Sequence, residues 1–203
     1  MYSILRDRRG FTMIEMVIVV LIMGAMAAVA VPRAMRTTPQ QEVHGAARQI
    51  MRDLESARMR AIATKRVVRL SFDQANEFYA AFLDVTAEHS GDISETVQEA
   101  RASRFLARGS NGGIPGAELA THVKFGSGQA TTGPLGGSIS DAIAFQNDRC
   151  EFDARGMVRP VAGVRTGGAI FVTHERDASV VAAVTVSGSG AFRTWDYRDG
   201  KWR

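Results

Sequence analysis

Residues 11–31 form an apolar run broken by a single charge, Glu15. At 1.5 Å per residue such a run makes a helix roughly 30 Å long, the thickness of a bilayer's hydrocarbon core, so one membrane span is predicted there. Past Pro32 and Pro39, Val43, Ala47, Ile50, Leu54, Ala57 and Ala61 recur at steps of four and three, with Glu42, Arg48, Arg52, Asp53, Arg58 and Arg60 between them. That period predicts an amphipathic helix starting just after Pro39, with one narrow apolar stripe. The stripe is shorter than three heptads and suits the chain's own sheet better than a coiled-coil partner. The two helices are expected to run together as one long, kinked rod.

From Lys65 the period drops to two. Val68, Leu70 and Phe72 alternate with Arg69, Ser71 and Asp73, and after a polar turn at 73–76 Phe78, Ala80 and Phe82 share one face, which predicts a β-hairpin. Residues 84–100 carry Asp84, Glu88, Asp92, Glu95 and Glu99 with no Lys or Arg, and read as a solvated loop or short surface helix. Acids at that spacing also suggest calcium, but the Asp/Asn-x-Asp-x-Gly order of a calcium loop is absent. Residues 110–116 and 126–138 are glycine-rich and read as surface turns. A short strand is expected at 121–125, a turn at 146–149 between two more apolar pieces, and an antiparallel meander over 168–174, 179–187 and 191–197.

The 203 residues hold 25 Lys and Arg against 21 Asp and Glu, for a formal charge of +4 and a pI near 9.7. Three arginines (Arg6, Arg8, Arg9) and one aspartate in the first ten residues account for +2 of that, so charge alone is weak evidence for a nucleic-acid partner. Those arginines should remain cytoplasmic and send everything after Val31 to the outer side of the membrane. The single cysteine, Cys150, has no partner for an intramolecular disulfide and reads as a small buried residue.

A carboxylate inside a membrane segment costs about 2.5–3.5 kcal/mol at its centre and calls for a functional explanation. Glu15 follows Gly10 and Phe11, which stand at the junction of the basic leader and the apolar run. The stretch G-F-T-M-I-E resembles the processing site of type IV prepilins and pseudopilins. The resemblance implies that a prepilin peptidase cuts after Gly10 and methylates the new amine of Phe11, that Glu15 pairs with that amine on a neighbouring subunit, and that the chain bends at Pro32. An ordinary signal peptide ending at Ala28-Val29-Ala30 leaves Glu15 unexplained. A plain anchor explains neither Glu15 nor Gly10-Phe11.

In the remainder, F-D-A-R-G at 152–156, G-G-A-I-F-V at 167–172, V-T-V-S-G-S-G at 184–190 and the late Trp195 resemble the head of the GspH/FimT family of minor pilins and pseudopilins, as does the Ala- and Arg-rich helix around Ser56-Ala57-Arg58. The fold class implied is α+β: a long hydrophobic N-terminal helix continuing into an amphipathic helix packed on an antiparallel β-sheet head. Its parts are a leader at 1–10, a membrane or filament-core helix at 11–31, the amphipathic helix at 32–64 and the head at 65–203. The partners implied are other pilins through the N-terminal helix, prepilin peptidase, and the inner membrane before assembly, with the head in the periplasm.

Candidate chemistry is sparse. His44, His89, His122 and His174 lie in four segments with no ligand spacing, so neither a metal nor a cofactor is expected. The motifs that place a base beside a Ser or Cys nucleophile are missing, and the chain reads as non-enzymatic. Some relatives in the resembled family bind DNA through a basic C-terminal tail. Here Arg193, Arg198, Lys201 and Arg203 are interleaved with Phe192, Trp195, Tyr197 and Trp202, a pattern suited to stacking bases and meeting phosphates. Asp196 and Asp199 oppose it, Gly190-Ala191-Phe192-Arg193 stands where the family has Gly-Arg-x-Arg, and aromatic residues filling a sheet edge would look the same.

Overall fold

The computed structural model describes residues 12–34, 38–88, 90–159 and 167–203, and for 27–34 the backbone alone. The chain divides into two units, residues 1–37 and 38–203. In the first, α1 (Met13–Ala34) begins at Thr12, whose hydroxyl accepts the Glu15 amide at 3.3 Å. α1 extends through Pro32, three residues past the predicted end of the apolar run. Whether it continues into the next helix as one rod depends on residues 35–37, which lie outside the described residues, as does the leader.

Among the described residues no helix is long and apolar enough to cross a membrane. The membrane span expected over 11–31 is not among them.

The second unit opens with α2 (Pro39–Thr64). Thr38 and Gln41 close a reciprocal capping box, Pro39 occupies the first turn where its missing N–H costs nothing, and Lys65 ends the helix in the left-handed region at φ 54°. The stripe from Val43 to Ala61 is buried at all six expected positions. It packs along β7 (Gly168–His174), β8 (Asp177–Val186) and β9 (Phe192–Arg198), and against β1 (Val68–Asp73).

Two five-stranded antiparallel sheets flank the core. Sheet 1 has the order β3-β4-β2-β1-β6, with β2 at Phe78–Leu83, β3 at Gly109–Asn111, β4 at Ile114–Glu118 and β6 at Arg149–Phe152. Sheet 2 has the order β10-β9-β8-β7-β5, with β5 at Val123–Phe125 and β10 at Lys201–Trp202. The β1–β2 hairpin and the C-terminal meander lie where the alternation placed them.

Two segments differ from the sequence-based expectation. β2 is buried on both faces: Tyr79, Ala81 and Leu83 enter the main core, while Phe78, Ala80 and Phe82 form a second cluster with Ile93 and Ala100. Residues 84–100, expected as a solvated loop or short surface helix, do lead into a short helix but also cover this face of β2 through Ile93 and Ala100. That helix is α3 (Val97–Ser103), and one acid of the segment, Glu95, meets two arginines of the sheet, 3.1 Å from Arg69 and 2.8 Å from Arg149, while Glu151 of β6 lies 2.7 Å from Arg69. Asp84 is fully buried and accepts the amides of Thr86 and Gly91, both at 2.8 Å. Burial pushes its carboxyl up, but these bonds, aided by Arg66, hold it below the usual range.

The glycine-rich stretches also do more than turn. Gly112 (φ 55°) and Gly113 (φ 82°) are the two central residues of a tight β3–β4 hairpin, a conformation that needs φ > 0 at both. Residues 126–139 cross the outer face of sheet 2, and a Cβ on Gly128 would stand 2.3 Å from the Ala178 carbonyl oxygen, so the strap can lie this close only as glycine.

Candidate functional site

Of the residues singled out at the N-terminus, Gly10 and Phe11 lie outside the described residues. Glu15 is in the first turn of α1, and its side chain is exposed. Around it the described apolar side chains of α1 are exposed on every side, from Met13 (87%) through Leu21 (67%) to Met26 (68%). A helix that is apolar all round buries itself only among other apolar surfaces, lipid or helix. A carboxylate in the first turn is favoured by the positive end of the helix dipole. The arrangement can therefore present a carboxylate at one end of an apolar rod.

The basic tail is divided by the pleat of sheet 2. Arg193, Trp195 and Tyr197 point to the outer face, where the Arg193 guanidinium carbon lies 3.9 Å from the Trp195 ring centre. Trp202 joins that face, 5.0 Å from Tyr197 and 5.9 Å from Phe171 between ring centres, and its indole N–H donates to the Thr132 carbonyl at 2.6 Å. Arg198 is paired opposite Lys201, and Asp196 exchanges backbone bonds with Arg203, so these four share the other face. There Asp196 meets His44, and Arg203 stands 3.8 Å from Asp199. Among the four expected basic residues, only Arg193 stands with the aromatic rings. The two-residue turn Asp199-Gly200 that folds β10 back is a hairpin signal that went unread.

Three contacts were not foreseen. His44 Nδ1 lies 2.5 Å from Asp196 Oδ1, His174 Nε2 lies 3.3 Å from Glu42 Oε2, and His122 Nδ1 lies 3.4 Å from Glu175 Oε2. Deep in the head, Asp53 accepts the Tyr79 hydroxyl at 2.6 Å and the Arg108 guanidinium, tying α2 to β2. Burial and the neighbouring Asp53 carboxylate push the Tyr79 phenol up, which keeps it a proton donor. Cys150 is fully buried, and burial raises its thiol, leaving it inert. Among the described residues no group of three or more His, Cys, Asp or Glu is placed to hold a metal ion.

Residues 5–31 match the prokaryotic N-terminal methylation motif. No curated protein matches the chain. Two solved structures are similar to it. One is the type IV minor pilin FimU of Pseudomonas aeruginosa, at 14% identity over 80% of this chain and 93% of that one, with a TM-score of 0.45. The other is the minor pseudopilin EpsH from the type 2 secretion system of Vibrio cholerae, at 11% identity over 75% and 95%, with a TM-score of 0.45. The N-terminus of this chain thus carries the prokaryotic N-terminal methylation motif, ahead of an α+β head.

Proposed function

We propose that the protein is a minor pilin or pseudopilin, a structural subunit of a type IV pilus or of a type II secretion pseudopilus. The observation that carries this is the methylation motif at residues 5–31 on a helix whose described apolar side chains are exposed all round. In this reading prepilin peptidase cuts between Gly10 and Phe11 and methylates Phe11. α1 rests in the inner membrane, with the head in the periplasm, until it joins other pilins in the filament core. Glu15 supplies the charge that meets a neighbour's Phe11 amine there, satisfying a carboxylate that lipid would leave unpaired.

The test is to compare Glu15→Ala with the wild type for membrane-fraction level and for recovery in sheared filaments or crosslinks to other pilins. Removing the carboxylate lifts an insertion cost that is below the roughly 2.5–3.5 kcal/mol of the helix centre, because Glu15 lies near one end, so membrane level should hold or rise. It leaves the neighbour's amine unpaired, at about 3–5 kcal/mol, so incorporation should fall. Equal incorporation of variant and wild type would remove Glu15 from assembly.

A second reading, a DNA-binding minor pilin acting in DNA uptake, is favoured by Arg193 stacked on Trp195 beside Tyr197 and Trp202. It is opposed by the placement of Arg198, Lys201 and Arg203 on the other face with Asp196.

A further inference from the structure

Three stretches that stand apart in the sequence converge in the fold: S-A-R at 56–58, F-D-A-R-G at 152–156 and V-T-V-S-G-S-G at 184–190. The first lies on α2, the second leaves β6 of sheet 1, and the third ends β8 of sheet 2. The half-buried Arg58 side chain stands between the two turns. Its Nε–H donates to the Gly156 carbonyl at 2.9 Å, joining residues 98 positions apart in the chain.

Each turn is closed by its own bonds and meets Arg58 through a glycine. The Gly156 amide donates to the Asp153 carbonyl, and the Gly190 amide to the Ser187 carbonyl, both at 2.8 Å. Gly156 (φ 75°) and Gly190 (φ 80°) lie in the left-handed region, where a side chain is disfavoured. Space gives a second reason for both. A Cβ on Gly190 would stand 2.4 Å from the Gly156 carbonyl oxygen, the atom that Arg58 binds, and 3.1 Å from Arg58 Nε. A Cβ on Gly156 would stand 2.6 Å from Ile62 and 3.1 Å from the same Nε. The two glycines therefore leave a slot that side chains there would close, and Arg58 occupies it.

The turns also touch one another. The Val158 amide donates to the Gly188 carbonyl at 3.1 Å, and the Phe152 and Phe192 rings meet edge to face with centres 5.8 Å apart. We infer that Arg58 is a key that locks the ends of both sheets onto α2, so that the 153–157 and 187–191 turns open together as one unit instead of each with its own strand. The inference concerns the head and does not rest on the filament reading.

The test is amide hydrogen exchange, resolved by residue, on the full chain in detergent micelles. The reporters are the amides of Gly156 and Met157 in one turn and of Gly190 and Ala191 in the other, each of which is hydrogen-bonded within its own turn. Arg58→Met keeps the apolar stem and removes the donor. Protection should fall roughly three- to thirtyfold at all four amides together, the scale of one hydrogen bond from a charged donor, while the β1–β2 hairpin keeps its own. Gly190→Ala closes the slot from the other side and should release the same four amides. Met59→Ala, the next residue on α2 and 60% exposed, should release none of them. In Arg58→Met, loss confined to one turn, loss spread evenly over the head, or no loss at all would overturn the lock.

Discussion

Asp53 ties α2 to sheet 1 by side-chain hydrogen bonds. It is 4% exposed and accepts from Tyr79, Arg108 and the Gln49 amide at 3.2 Å. Asp53→Ala would strand a buried phenol and leave Arg108 to water, at about 2–4 kcal/mol. For a head of this size, that lowers the midpoint of thermal unfolding by roughly 5–15 °C. A shift below about 2 °C in near-UV circular dichroism would show that the cluster repacks. Asp84 sets a pH dependence of known sign. Its carboxyl is held below the ordinary value in the fold, so its contribution is present above about pH 4 and is lost as pH falls through the lowered value. Asp84→Asn should therefore flatten the acid limb of the stability profile while leaving an overall loss near pH 7. An acid limb as steep as that of the wild type would place the titrating group elsewhere. Neither residue was legible in the sequence, because burial of a carboxylate depends on which donors the chain brings back to it.

At the scale of elements, legibility followed period. α2 was readable because a buried stripe repeats every three or four residues, and its six expected core positions are the ones that pack. Ile50→Ala should accordingly cost about 2–5 kcal/mol. Met59→Ala, at a position 60% exposed, should stay within about 0.5 kcal/mol in chemical denaturation. Similar costs for the two would mean that α2 is rotated from the orientation described. The double-sided burial of β2 was not readable. Its period-two pattern marks one face as core, and the second face is covered by a segment whose Glu95 reads as solvated until Arg69 and Arg149 fold against it. The glycine-rich stretches were legible only as turns. A run of glycines signals turns by composition, but only geometry shows that Gly112 and Gly113 make a hairpin and that Gly128 lies against a strand.

At the scale of the whole molecule, charge and apolar surface are separated along the chain. The exposed apolar surface is concentrated on α1, and the basic tail is split between two faces of sheet 2. If the tail nevertheless binds DNA, affinity should fall with salt at a log–log slope of about −0.9 per phosphate contact on duplex. Arg193→Ala combined with Lys201→Ala should then weaken binding and reduce that slope. Binding too weak to measure at low salt would exclude the role. The N-terminal stretch G-F-T-M-I-E was the most legible part of the chain, since a charge inside an apolar run has few explanations, and the methylation motif matches there. The central claim, that the subunit is made by cutting at this stretch, is tested most directly by the intact mass of the protein recovered from its native host. The mass expected is that of a chain beginning at Phe11 and carrying one methyl group. A mass that begins at Val31, or that retains residues 1–10, would contradict it.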